Sequence, residues 1–232
     1  MNGSRADPYV MLVASLPDLG GFLEAQSPPI NWLQIEERLA MLTPQDRAQL
    51  EAMAGIIAWE RIQAEDEDAT VLARAEQVVA SLESDVLRDL VRDRLEIRTV
   101  IAALRRRHAG EDAPAAHVRW GYGRFVNTIR ANWSDPAFGI ARAFPWVGLA
   151  REKLESGDTA GLERVILQAV WTAAGRYADA HSFDIEAVAI YLLRWAIVNN
   201  WAQYDTAAAT SRFTRLLDEA LDDALPNREA VI

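Results

Sequence analysis

The chain has 232 residues, half of them hydrophobic, with eight tryptophans and no cysteine. The missing thiols exclude a disulfide scaffold, thiolate zinc sites and cysteine nucleophiles, and they suit a reducing cytosol. Net charge is −10 but uneven: from Arg88 to Arg130 ten arginines face five acids, a local +5 that leaves −15 elsewhere, so the whole-chain field disfavours nucleic acid.

Glycine and proline are too sparse for a long all-β protein, which needs many turns. Met1 to Pro8 is polar and the apolar run after it is short, so no signal peptide is expected. The apolar stretch Ala187 to Val198 is shorter than a membrane crossing needs and carries Arg194 at its centre, which predicts a soluble chain.

Tyr9 to Leu16 is an apolar run closed by Pro17. Periodicity does not separate a buried strand from a short buried helix here; the β-branched and aromatic content favours a short strand. Asp18 to Pro29 reads as a loop. Asn31 then caps a helix, with Gln34 three residues on and Ile30 able to staple against Ile35. Thr43 and Pro44 open another, whose apolar stripe is Leu50, Met53, Ala54 and Ile57.

Glu65 to Asp68 is an acidic connector. Thr70 to Leu82 predicts a short helix. After Ser84 a long one follows, with Leu87, Leu90, Val91, Leu95, Arg98, Ile101 and Leu104 on one face. It ends at Arg105, Arg106, Arg107 and His108, cations suited to a helix C-terminus, with Gly110 as the stop.

Glu111 to Ala116 reads as a linker and the best internal boundary, which divides the chain into residues 1–110 and 111–232, two helical halves packed as one unit. Val118 to Asn132 is predicted helical despite Gly121 and Gly123, Trp133 to Gly139 a turn, and Val147 to Leu154 and Thr159 to Ala180 helices. Asp184 to Gln203 should be a helix buried on nearly all sides and the centre of the core. Asp205 to Leu225 should follow it as an amphipathic partner, with Phe213, Leu216, Leu217, Ala220, Leu221 and Ala224 on one face. The expected fold is mainly all-α: a multi-helix bundle of about eight helices.

No phosphate loop is present, and Gly121-Tyr122-Gly123 has neither a third glycine nor a preceding strand. His108, His117 and His181 stand at unrelated spacings. Ser134, Ser182 and Ser211 lack a nucleophile elbow or a paired base. The reading is therefore of no catalytic residue, no metal site, no cofactor and no small-molecule substrate. Trp171, Trp195 and Trp201 belong to apolar helix patterns. Trp120, Trp133 and Trp146 cluster with glycines, prolines and arginines, as a partner surface or as a packed loop.

Three segments together resemble a known family. Tyr9 to Pro17, Pro28-Pro29-Ile30 and Leu42-Thr43-Pro44-Gln45-Asp46-Arg47 are similar to the start of an uncharacterised bacterial family whose genes tend to lie in V-type ATPase operons. Phe183 to Tyr191, continuing to Trp201 and Asp205, resembles its C-terminal signature. Asp93 to Ile101, with Leu104 to Arg107 and Gly110, is similar to a motif of the C-type subunit of V-type and archaeal-type ATPases (the d-type subunit in eukaryotes). This chain lacks the Asn that the motif usually carries near Glu96, and it looks too short for the three helical repeats of a full C-type subunit.

The resemblance implies a helical, non-catalytic, cytoplasmic component, peripheral to the inner membrane face. Its partners would be the central stalk and the proteolipid ring, reached without direct membrane insertion. On that reading Arg98, Arg105, Arg106, Arg107, Arg119 and Arg124, with Trp120, Trp133 and Trp146, form the docking surface, since guanidinium geometry suits carboxylates. The alternatives are a free-standing assembly factor or regulator and, more remotely, a nucleic-acid binder using the same arginines.

Overall fold

The computed structural model describes residues 6–21, 23, 27–57 and 68–203, and all the regular structure among them is helical. Residues 65–67 of the acidic connector and the amphipathic helix expected after Asp205 lie outside the described residues.

The run expected as a strand is helix α1 (Ala6–Ala14). A strand needs a neighbour for its N–H and C=O groups, and no strand exists among the described residues, whereas a helix satisfies them within the segment. Leu12 of α1 is buried, and Tyr9 Oη donates to Asp46 Oδ2 at 2.6 Å.

Helix α2 (Trp32–Leu39) starts as its residues dictate. Asn31 Oδ1 accepts the Gln34 N–H at 2.9 Å, and Gln34 Oε1 accepts the Asn31 N–H at 2.9 Å, so two otherwise orphaned donors are satisfied reciprocally. Helix α3 (Pro44–Ile57) begins with Thr43 Oγ1 accepting from the Asp46 N–H at 3.1 Å. Helix α4 (Asp68–Ser81) leads into α5 (Asp85–His108), capped by Ser84 Oγ, which accepts from the Leu87 N–H at 3.3 Å.

The end of α5 follows its glycine. Gly110 takes φ +81°, the Glu111 N–H reaches back to Arg106 O at 3.0 Å, and the Gly110 N–H reaches Arg107 O at 3.0 Å. These are the two bonds of a Schellman stop, and they consume carbonyls that would otherwise be orphaned.

The helix expected over 118–132 is cut to α6 (Val126–Ala131). Residues 118–122 are irregular, 123 is a bend and 124–125 a turn; Gly123 adopts φ +97°, a left-handed conformation that breaks the helical path. Helix α7 (Val147–Glu155) and helix α8 (Thr159–Ala178) meet at Asp158. That residue closes the first through its N–H to Lys153 O (2.9 Å) and caps the second by accepting from the Gly161 N–H (2.8 Å). Helix α9 spans 185–203 and is capped by Asp184, which accepts from the Ala187 N–H at 2.8 Å.

Helix α9 is covered on nearly all sides, as expected: no residue from 185 to 202 is exposed, and Val188, Ala189, Ile190, Leu193, Trp195, Ile197, Val198 and Ala202 are buried. Trp195 Nε1 donates to Ile30 O at 2.8 Å, and the Arg194 guanidinium lies 4.8 Å from the centre of the Trp171 ring. Helix α5 is enclosed as well, although its sequence is far more polar. It packs against α3, α4, α6, α7 and α8, and even Arg94, Glu96 and Thr99 are buried in it.

Buried apolar side chains fall into two sets joined along α5 and α8. The first combines α1 to α4 and α9 with Leu87 to Ile97 of α5 and Leu167 to Ala174 of α8. The second combines Val100 to Leu104 of α5 and Leu162 to Ile166 of α8 with Trp120, Ile129, Phe138, Ile140, Val147 and Ala150. No described helix is long and apolar enough to cross a membrane.

Candidate functional site

The residues between the linker and α6 wrap back over the middle of α5 and leave a polar cleft of about 790 Å³. Its floor is Asp89, Arg92, Asp93 and Glu96 of α5, its rim Arg119 and Arg124, with Glu76 of α4 and Tyr177 of α8 facing in.

Glu96 anchors the wrap. Its side chain is only 8 % exposed, yet its carboxylate accepts the Arg124 N–H at 3.1 Å and pairs with the Arg124 guanidinium at 3.3 Å. A buried carboxylate persists only when it is hydrogen-bonded and paired. Gly123 makes this approach possible, because a Cβ at that position would meet Glu96 Oε1 at 2.6 Å. Three residues along α5, Thr99 Oγ1 accepts the Tyr122 N–H at 2.8 Å and donates to Leu95 O at 3.0 Å.

A second network crosses the floor. Asp93 Oδ2 accepts from Tyr177 Oη at 2.9 Å and from Arg176 Nη2 at 2.7 Å. Burial, reinforced by the Asp93 charge, pushes the Tyr177 hydroxyl up to about 12, so it stays a neutral donor at physiological pH. Arg92 is held above its ordinary value by its hydrogen bond to Asp89 and a further one to Tyr122. Arg94, buried on the same helix, is pulled down to about 9 by desolvation, against which the Glu163 charge acts.

The arginines named from the sequence divide into distinct roles. Arg119, paired with Glu76, and Arg124, 72 % exposed, stand at the cleft rim. Arg105 is exposed at the end of α5, and Arg106 lies half-buried, 4.0 Å from Glu111. Arg98 is half-buried.

Arg107 faces inward. It donates to the carbonyls of Trp133 (3.3 Å), Asp135 and Pro136 (3.0 Å), and its guanidinium sits 4.0 Å from the Phe138 ring centre. It therefore clamps the 133–140 turn, where Phe138 itself adopts φ +54°. Burial lowers the pKa of Arg107.

Trp120 is 3 % exposed and packs edge-on against Trp133, with ring centres 6.2 Å apart. Trp133 Nε1 donates to Glu111 O at 2.9 Å, and Trp146 is half-buried against Phe144. The tryptophan cluster thus includes core packing of the second buried set.

Two features were not visible in the sequence. The Glu96–Arg124 and Asp93–Tyr177 pairings join residues 28 and 84 positions apart, and no local pattern announces either. His181, Asp184 and Glu186 bring ligating atoms within 4.8 Å of one another. Asp184 already spends one oxygen on the start of α9 and the other on His181 Nδ1 at 2.7 Å, which accounts for the grouping as a helix cap.

What the cleft can do follows from its groups. Each rim arginine keeps guanidinium donors beyond those its partner carboxylate uses, so it can take a second carboxylate from outside. The floor carboxylates are themselves engaged. No protein-family model, no curated protein and no solved structure matches this chain.

Proposed function

We propose that the chain is a non-catalytic coupling component of a bacterial V-type rotary ATPase, similar in role to the C-type subunit, linking the central stalk to the membrane ring. The observation that carries the reading is the placement of Arg119 and Arg124 at the rim of a cleft whose floor is the rigid, buried helix α5. That helix holds most of the segment, Asp93 to Gly110, whose sequence resembles the motif of the C-type subunit.

Torque transmission asks for a stiff body and oriented contacts rather than for a titrating group. Packed helices that hold exposed guanidiniums, Arg124 through Glu96 of α5 and Arg119 through Glu76 of α4, meet that demand, because preorganised donors lose little freedom on binding. Acidic groups of the stalk or of ring loops would be the natural counterparts. In this reading the protein is cytoplasmic and reaches the membrane only through its partners.

Arg119→Glu with Arg124→Glu tests the reading in a binding titration against the assembled stalk and ring. Loss of rim pairing should weaken association by about tenfold or more and flatten its salt dependence. Binding unchanged by the double reversal would remove the assignment. Association that is transient and substoichiometric would instead make the chain an assembly factor.

A further inference from the structure

A cavity of about 340 Å³ lies where α8, α9 and the segment from Val13 to Gly20 meet. Ala187, Ile190, Tyr191 and Arg194 line it from α9, spaced so that they share one face of that helix. Leu16 and Leu19 of the N-terminal segment and Trp171 of α8 supply apolar walls. Asp18 lines the same space, as do His181 and Ser182 from the turn between α8 and α9. Apolar walls with a few polar groups among them are the ordinary make-up of a small-molecule site.

Two opposite charges line this cavity without pairing with each other. Arg194 makes no ion pair and no hydrogen bond among the described residues, and its Nε is buried without an acceptor. Its guanidinium is held over the Trp171 ring, 4.8 Å from the centre, where Gly175 leaves it room: a Cβ there would meet Nη2 at 2.9 Å. Asp18 accepts the Gly20 N–H at 3.1 Å and pairs with no cation among the described residues. Both side chains belong to half-buried residues, and a charge withdrawn from water without a partner is costly. Tyr191, three residues before Arg194, has its hydroxyl buried with no hydrogen-bond partner. Burial pushes that hydroxyl up to about 12, so it stays a neutral donor. His181, by contrast, is engaged by Asp184 at 2.7 Å.

We propose that this cavity binds one zwitterionic α-amino acid with an apolar side chain, its carboxylate on Arg194 and Tyr191 and its ammonium on Asp18. Such a molecule carries both counter-charges and an apolar body for Trp171, Leu16 and Leu19. A guanidinium takes a carboxylate through parallel N–H donors, and Asp18 keeps acceptor capacity beyond the Gly20 N–H. A simple carboxylate would satisfy Arg194 but sit in the field of Asp18, and a simple amine would do the reverse. The proposal concerns binding and does not depend on the rotary-ATPase reading.

Calorimetric titration of the full-length protein tests it, with leucine and phenylalanine as probes. Two leucine analogues accompany them: 4-methylpentanoate, which lacks the ammonium, and 3-methylbutylamine, which lacks the carboxylate. Leucine or phenylalanine should bind saturably, and each analogue at least about tenfold more weakly than leucine, because it leaves one charge of the site unpaired. Asp18→Asn should weaken leucine by about tenfold while leaving 4-methylpentanoate unchanged or tighter. Arg194→Gln should weaken leucine likewise and spare 3-methylbutylamine, and Tyr191→Phe should weaken leucine several-fold. These opposite selectivities separate the loss of one contact from the loss of the fold, which would abolish binding of every probe. No saturable binding of either amino acid below about 10 mM would overturn the proposal. So would leucine binding no tighter than either analogue, or an affinity for leucine untouched by Asp18→Asn.

Discussion

Glu96 and Gly123 depend closely on one another. A Cβ at 123 would need both a left-handed φ and space that Glu96 fills. Gly123→Ala should therefore cost about 1–3 kcal/mol, read by urea denaturation; an unchanged midpoint would mean that Glu96 swings away freely. Acid sensitivity also belongs to single side chains. Asp158 is held below its ordinary 3.8 by the Gly161 N–H first and by Lys153, and Asp135 by the Gly139 and Ala137 N–H groups. Because these folded values are depressed, their stabilisation is complete above the unfolded value and is lost as pH falls through the folded one. Asp158→Asn should then lower stability near neutrality and converge on the unaltered protein at pH values below the folded pKa of Asp158. A constant difference across an acid titration would reject this account. Asn31 with Gln34 was readable because a cap is a local pattern, whereas Glu96 with Gly123 was not, because nothing within a helical turn of either residue signals the other.

Among the elements, starts and stops were the most legible features. Ser84 and Gly110 bracket α5 where capping chemistry puts them. Two expectations failed for physical reasons. The apolar run at 9–16 carries strand-like residues, but without a partner strand its backbone is satisfied only as a helix. The helix expected from Val118 is lost where Gly123 turns left-handed. Apolar composition pointed correctly to the enclosure of residues 185–202, whereas the charged and polar residues of α5 hid its burial, since Arg94, Glu96 and Thr99 are buried in it as well. Ile101, 1 % exposed on α5, should accordingly lose about 2–5 kcal/mol on truncation to alanine. Leu192→Ala on α9, half-buried, should lose less in the same denaturation series. Equal or reversed losses would contradict that difference in burial.

At the scale of the whole molecule, α5 and α8 run through both buried sets, so a load applied near the cleft has a continuous packed path to the α1–α4 end. The all-α class was legible from composition and periodicity. The cleft was legible only in part: the arginine-rich segment stood out by charge, but which arginines point outward depended on long-range pairing. Arg107, counted with the docking group from sequence, is occupied by three backbone carbonyls, while Arg119 and Arg124 remain at the rim. On the proposed reading this helical body is a stoichiometric part of a rotary ATPase. Purifying the full-length chain by an affinity tag from its own cells and weighing the intact assembly by native mass spectrometry tests that most directly. A fixed ratio of the chain to stalk and ring components is expected; a chain recovered free of every ATPase component would contradict the proposed function.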